Sequence, residues 1–339
     1  MDTLGRYYTQ DIFSNLLVSM FSYKEPKTGI DIGVGGGALI KAASQRWRDC
    51  QFSGVDVDAF AVQRLNNELP SIKAFKTNSL SLRLPQSINL EASSIDIAIC
   101  NPPFLKLKGK KKYAKLLNDV GLSKCAELPL LTSDIIFLAQ NLKLLKVAGQ
   151  LGIILPDSLL TGHNYRNFRK ALLENHRVKV VIELPAKVFS KTEAQTHIVL
   201  IEKGGKSDET IPIYKADELG SCDDVVEIHR DSLFNRMDYT FWKWKEAHNY
   251  DETQNLSNHT IDIKRGTATH KQLKESGLPY FHTSHFASYP MKVNLLPDET
   301  KANSEFRCAR EGDILLARVG KRCIGKVAII ESGRINISD

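Results

Sequence analysis

The sequence predicts an α/β protein: a mostly parallel sheet with helices on both faces, followed by a smaller mixed or β-rich C-terminal domain. Three observations carry this. From Thr28 to about Lys203 short β-branched runs alternate with helical stretches, the pattern of consecutive strand–helix–strand units. The first of these runs ends in a cluster of glycines, Gly33, Gly35, Gly36 and Gly37, as a strand-to-helix turn beside a ligand does. Beyond Lys203 the character changes, because GGKSDET is rich in glycine and charge and the next fifty residues show weak periodicity. Three regions are therefore expected: a first domain over 1–210, a connector over 211–254 with an apolar cluster at Tyr239, Phe241, Trp242 and Trp244, and a second domain over 255–339.

The elements follow in order. TGIDIG at 28–33 reads as the first strand, GVDVD at 54–58 as the second, SIKAFKT at 71–77 as the third and IDIAIC at 95–100 as the fourth, which stops abruptly at Asn101-Pro102-Pro103. Apolar spacing at Ile135, Leu138, Leu142 and Leu145 predicts a helix from about Ser133 to Val147, with Gly149 as its C-terminal cap. QLGIILP, a basic helix near Tyr165–Asn175, KVVIELP and THIVLIEK complete the alternation. The second domain begins near Thr260 and closes on two short β-like runs, GDILLARVG and KVAII.

Composition narrows the class. With 42% hydrophobic and 25% charged residues, disorder and collagen are excluded. The apolar runs fall far short of the roughly 20 residues that span a bilayer, and MDTLGRYYTQDIF lacks the pattern of a signal peptide. A cytoplasmic protein without a membrane partner is expected. Cys50, Cys100, Cys125, Cys222, Cys308 and Cys323 stand singly, so they are read as reduced thiols, and neither cysteine nor histidine spacing supports a metal site. Forty-six Lys and Arg against 39 Asp and Glu leave a formal charge of +7, compatible with a polyanionic partner.

The chemistry-bearing motifs sit at strand ends. Asp31 lies at the end of a buried strand, and the glycines after it let the backbone approach a ligand closely. Asp56, at the tip of the next strand, is placed to bind a ribose diol. This pairing fits NAD and S-adenosylmethionine equally. Asn101-Pro102-Pro103-Phe104 then favours the second. An Asn carboxamide oxygen and a neighbouring carbonyl can accept both hydrogens of an exocyclic amino group, while the Phe104 ring offers a face for a planar base. Two such hydrogen bonds favour the more pyramidal, nucleophilic form of an aromatic amine.

At these residues the sequence resembles the N6-adenine DNA methyltransferases of the gamma arrangement, including modification subunits of type I restriction systems and single-chain type II enzymes. GRYYTQ at 5–10 is similar to their N-terminal motif over the methionine moiety of S-adenosylmethionine, DIGVGGG to the cofactor loop, Asp56 to the ribose acid, and NPPF to the catalytic tetrapeptide. LAQNLKLLKVAGQLGIILP at 138–156 and VIELPAKVFSKTEAQTHIVLIEK at 181–203 extend the likeness over residues 5–203.

The resemblance implies a Rossmann-like S-adenosylmethionine-dependent methyltransferase sheet. It assigns the cofactor to Tyr8, Thr9, Asp31, Gly33, Gly35, Asp56, Val57, Asn78, Ser79 and Asn101, and the methylation step to Asn101, Pro102, Pro103 and Phe104, with Phe104 and Phe189 on the two faces of the flipped base. Asn78 is a departure, since the family usually carries an acid there. IKRGTATHKQ, GLPYFHTSHF and EGDILLARVGKRCIGKVAII resemble the target recognition domains of type I specificity subunits, shorter here than usual, so that a further segment or a partner would complete the reader.

The implied activity is methyl transfer to N6 of a flipped adenine in double-stranded DNA, within a restriction-modification or phage-defence system and with a specificity or restriction subunit as a further partner. Rival readings are a methyltransferase for RNA adenine or protein glutamine, and an inactive DNA-binding subunit. Lys108, Lys110, Lys111 and Lys112, in the run from Lys106 to Lys115, are candidate phosphate contacts, which Arg166, Arg169, Lys170 and Arg177 would extend.

Overall fold

In the computed structural model, which describes residues 9–186, 195–248, 258–286, 291–294, 306–320 and 323–339, the expected alternation is present from Thr28 onward. Helix α1 (Asp11–Ser19) precedes β1 (Thr28–Ile32), α2 (Ala38–Arg46), β2 (Gln51–Asp56), α3 (Ala59–Glu68), β3 (Lys73–Lys76), the one-turn α4 (Leu84–Ser87) and β4 (Ile95–Cys100). An excursion carrying α5 (Ala114–Asp119) leads to α6 (Ser133–Leu144) and β5 (Leu145–Pro156). Then come α7 (Asp157–Thr161), α8 (Arg166–Asn175), β6 (Arg177–Glu183), β7 (Thr196–Glu202), β8 (Thr210–Lys215), β9 (Val225–His229), α9 (Arg230–Leu233) and α10 (Tyr239–Ala247).

The strands form one sheet in the order β3-β2-β1-β4-β5-β7-β6-β8-β9. From β3 to β5 all neighbours are parallel, and β7 runs antiparallel to both β5 and β6. Burial on both faces explains the near-continuous apolar strands. Along β4, Ile95, Ala98 and Cys100 enter one core while Ile97 and Ile99 enter the other, and β7 divides Val199 and Ile201 from Ile198 and Leu200 in the same way. The first core receives α5, α6, α8 and α10 through Leu116, Ile135, Phe168 and Trp242; the second receives α1 and α2 through Leu17 and Ile40. Asp96 pins the strand starts together, accepting from the amides of Lys27 and Thr28 at 2.8 and 3.0 Å and pairing with Lys146 at 2.7 Å.

Two expectations change. The helix predicted over 133–147 ends at Leu144, because Leu145 is already extended and pairs with Ile95 in the sheet. Leu145 is buried either way, so periodicity could not separate the two states. Gly149 therefore lies within β5 rather than capping a helix, packed against the carbonyls of Ile95 and Asp96, and the left-handed residue of this stretch is Ala148, at φ 62°. The boundary placed near 210 also moves. The chain divides into Met1–Asn249 and Tyr250–Asp339, and through residue 248 the expected connector is part of the first unit. Strand β8 pairs with β6, β9 pairs with β8, and Ile211, Ile213, Val226 and Trp242 are buried in its core.

The second unit contains α11 (His270–Ser276), β10 (Tyr280–Phe281), β11 (Met291–Asn294), β12 (Cys308–Arg310), β13 (Ile314–Leu316), β14 (Val327–Ser332) and β15 (Arg334–Ile337). Thr269 and Gln272 form a reciprocal cap at the start of α11, and Gly277 ends it in the left-handed conformation. Two small sheets, β10-β15-β12 and β11-β14-β13, enclose a core of Phe281, Phe286, Val293, Ile330 and neighbours. The two β-like runs expected here become β13 and β14, paired antiparallel. Among the described residues no helix is long and apolar enough to cross a membrane.

Candidate active site

Strand order reverses at β1, which has β2 on one side and β4 on the other. The carboxyl ends of β1 and β4 thus open a crevice, the place where ligands of open α/β sheets bind. The glycine turn leaves β1 and NPPF leaves β4, so the fold itself brings the two motifs together.

One cavity, of about 250 Å³, is lined by Thr9, Gly33, Val34, Gly35, Asp56, Val57, Asn78, Ser79, Asn101, Pro103 and Phe137, among others. It gathers all the expected cofactor residues except Asp31 and Tyr8. Gly33 has φ +91°, a region closed to most side chains, and a Cβ there would stand 3.1 Å from the Phe137 ring. Asp56 holds the loop as well as facing the cavity: its Oδ2 accepts from the Gly35 amide and its Oδ1 from the Asp58 amide, both at 2.8 Å. Arg64 donates to the Gly35 carbonyl. Asn78 uses its carboxamide oxygen to accept from the Leu80 amide at 2.9 Å, which closes a local turn and leaves its NH₂ as the group to offer a ligand. Asp31 is fully buried, and neither carboxylate oxygen meets a protein donor. Burial, and then the charge of Asp56, pushes its carboxyl well above the usual range.

The NPPF turn contributes to another cavity as well. Asn101 and Pro103 line the first, whereas Phe104 lines a cavity of about 330 Å³ with Lys106, Leu130, Thr132, Asp134, Pro156, Ser158, Asn164 and Tyr165. The Asn101 amide donates to the Thr9 hydroxyl at 3.0 Å, tying the N-terminal motif to the tetrapeptide, and Pro102 is buried within the turn. Tyr8 and Phe189 lie outside the described residues.

Helix α6 organises the site, a role that the motifs alone did not reveal. Its Ser133 hydroxyl donates to the Pro103 carbonyl and accepts from the Leu105 amide at 2.9 Å. One turn on, Phe137 lines the glycine cavity; the next turn's Gln140 donates to the carbonyls of Ser79 and Ser81. Residues 133, 137 and 140 share one helix face. That spacing was readable, but the helix is buried nearly all round and its apolar pattern hid the polar positions.

The basic residues divide. Backbone pairing of 105–107 with 131–133 makes the lysine-rich run part of an excursion pinned beside NPPF. Lys108, Lys111 and Lys112 are exposed on it. Lys110 instead turns back, donating to the carbonyls of Leu128 and Pro129. Arg169 is a correction. It is fully buried, and its guanidinium donates to the carbonyls of Leu159, Gly162, Phe234 and Asn235 at 2.7–3.0 Å, so it clamps the α7–α8 turn to the chain before α10. Burial, with Arg236 and Arg166 nearby, lowers its pKa to about 10. Arg177 pairs with Glu202 and Asp208, and Lys170 with Glu174. Among the described residues, no group of three or more His, Cys, Asp or Glu is arranged to hold a metal ion.

Comparison with known proteins agrees with this geometry. The type II methyltransferase M.VspI of a Vibrio species is 28% identical over 148 residues, covering 43% of this chain and 35% of that protein. The type II methyltransferase M.BsuBI of Bacillus subtilis is 25% identical over 226 residues, covering 59% and 44%. The chain thus spans less than half the length of these relatives. Among solved structures, the methyltransferase subunit of a type I restriction-modification system from Streptococcus thermophilus superposes with a TM-score of 0.52 at 20% identity, over 74% of this chain and 55% of that one. This last likeness establishes a shared fold. The profile of the family described as N-6 DNA Methylase matches residues 2–264, a span that takes in the glycine turn, Asp56, NPPF and the whole nine-stranded sheet, and the chain belongs to that family.

Proposed function

We propose that this protein transfers a methyl group from S-adenosylmethionine to N6 of an adenine flipped out of double-stranded DNA, as the methylating component of a restriction-modification or phage-defence system. The observation that carries the reading is that NPPF contributes to two cavities, Asn101 to the one with the glycine turn and Phe104 to the other. A donor in one and a planar base in the other meet at the Asn101 carboxamide.

The residues present fit the cofactor. Asp56 has a second lone pair on each oxygen for a ribose diol, Val57 and Leu80 offer apolar walls, and at Gly33 the turn leaves room that a Cβ would fill. When bound, S-adenosylmethionine supplies an electrophilic methyl group on a sulfonium. The chain's own residues do the rest. The Thr9 hydroxyl holds the Asn101 amide so that its carbonyl oxygen, with the Pro102 carbonyl, takes the two hydrogens of the target amine. Ser133 fixes the far end of the turn through the Pro103 carbonyl. Phe104 stacks on the base, excluding water from one face. Catalysis arises from positioning and from hydrogen bonds that strengthen as charge builds on nitrogen.

Lys108, Lys111 and Lys112 contact phosphate in this reading. Residues 255–339 supply part of a target-recognition surface that works with a specificity or restriction subunit. Incubating the protein with isotopically labelled S-adenosylmethionine and unmethylated genomic DNA, then digesting the DNA to nucleosides, tests the proposal. Label in N6-methyladenine is expected; label in RNA or protein acceptors alone, or none at all, refutes it.

A further inference from the structure

The cavity beyond Phe104 contains an acid to which the motifs assigned no part. Asp134 stands in the first turn of α6 and is 1% exposed, yet it lines this cavity with the Phe104 ring. The Thr132 hydroxyl and the Ile135 amide both donate to its Oδ1, the latter at 2.8 Å, and its own backbone amide is a further donor to the carboxylate. These donors and the N-terminus of a twelve-residue helix favour a carboxylate, while burial disfavours it. The balance pushes its carboxyl up to about 6, so the group is ionised at neutral pH at some cost to folding. Two other titratable groups line the cavity: Lys106, exposed on the segment after β4, and Tyr165, whose hydroxyl is raised by burial and then by the Asp134 charge.

Methyl transfer to an aromatic amine moves positive charge. The nitrogen lone pair forms the new N–C bond as the S–C bond breaks and its electron pair stays on sulfur. The positive charge sits on the exocyclic nitrogen, beside the purine ring, until a proton leaves it for water. A base stacked on Phe104 undergoes this change inside the cavity whose wall contains Asp134. Because Asp134 is itself buried in that wall, its fixed negative charge acts more strongly than it would in solution.

We propose that Asp134, as a carboxylate, faces the target base and stabilises the positive charge that methyl transfer places on it. The proposal rests on the adenine reading above. It makes Asp134 a base-contacting residue whose ionisation sets turnover, beyond its part at the start of α6.

The test uses the full chain, labelled S-adenosylmethionine and unmethylated genomic DNA between pH 5 and 8.5. For the wild type, kcat/KM for DNA is expected to rise with pH through a single ionisation near 6 and to level off above it, because the carboxylate form of the free enzyme is the active one. Asp134→Asn keeps an acceptor for Thr132 and Ile135 and removes the charge. It should lower the plateau kcat by about 10–100-fold and abolish the ionisation, with the KM for DNA and the affinity for S-adenosylmethionine little changed. Asp134→Glu should restore part of both. A helix cap alone would move none of these kinetic quantities. An Asn variant with wild-type kcat and an unchanged pH profile overturns the proposal, as does a wild-type profile with no ionisation near 6 should the Asn variant fail to fold. Wild-type production of N6-methyladenine separates this failure from that of the adenine reading; a wild type that methylates no adenine overturns both.

Discussion

The two cavities that share the NPPF turn are built in different ways. The glycine cavity is set on one side by backbone, where Gly33 and Gly35 bring the chain close and Asp56 holds the loop through two main-chain amides, and on the others by side chains such as Phe137, Val57 and Leu80. The Phe104 cavity is shaped by side chains from four separate stretches, the turn after β4, the start of α6, the end of β5 and the turn before α8. A glycine turn braced by an acid fits the constant parts of a nucleotide cofactor. A surface of side chains can instead be tuned to one base and to the charge that develops on it.

Cutting the join between the two should have the largest effect. Asn101→Ala removes the acceptor proposed to face the target amine and the amide that binds Thr9. Methylation is expected to fall by about 10²–10³-fold or more, with S-adenosylmethionine affinity, measured by calorimetry, reduced far less. Substantial methyl transfer by this variant would sink the mechanism.

On the glycine side, Asp56→Ala should weaken S-adenosylmethionine binding by about 1.5–3 kcal/mol, the scale of hydrogen bonds to a charged group. The same change releases the amides of Gly35 and Asp58, so the loop should also lose order. Calorimetry measures the first effect and hydrogen exchange at Gly35 the second. Wild-type affinity would remove Asp56 from the cofactor site.

On the other side, Phe104→Ala should lower the rate by the loss of roughly 1–3 kcal/mol of base stacking and leave cofactor affinity untouched. If it weakened S-adenosylmethionine binding as much as Asp56→Ala does, the two cavities would not be functionally distinct.

The same contrast explains what the sequence made legible. DIGVGGG and Asp56 declare themselves because a glycine turn braced by an acid needs its special residues close together at strand ends. Asp134 and Tyr165 are thirty-one positions apart and carry no local pattern, so only the folded chain shows that they share a wall. The expectation of a connector failed for a related reason. In TIPIYK, Ile211 and Ile213 alternate as a strand requires, but Pro212 interrupts the run and charge surrounds it, which conceals the outer strands of the sheet. Arg169 misled in the opposite direction. In sequence it is one cation on a basic helix, and nothing but the four carbonyls around it distinguishes it from Arg166.

The lysine excursion offers the finest distinction between residues that hold the site together and residues that meet a ligand. Lys108, Lys111 and Lys112 are exposed, whereas the Lys110 ammonium is already engaged by the carbonyls of Leu128 and Pro129. A cation bound to the protein releases no counterion from DNA, so the exposed lysines of the run, and not Lys110, should contribute to the salt dependence of binding. Replacing Lys108, Lys111 and Lys112 together by Gln should flatten the slope of log affinity against log salt by up to about 0.9 for each phosphate that is no longer neutralised. The weakening should be similar on all duplexes, because phosphate contacts carry little sequence information. Lys110→Gln alone should leave the slope unchanged. Fluorescence anisotropy over a salt series measures both, and a flattened slope for Lys110→Gln with an unchanged one for the triple variant would reverse the assignment.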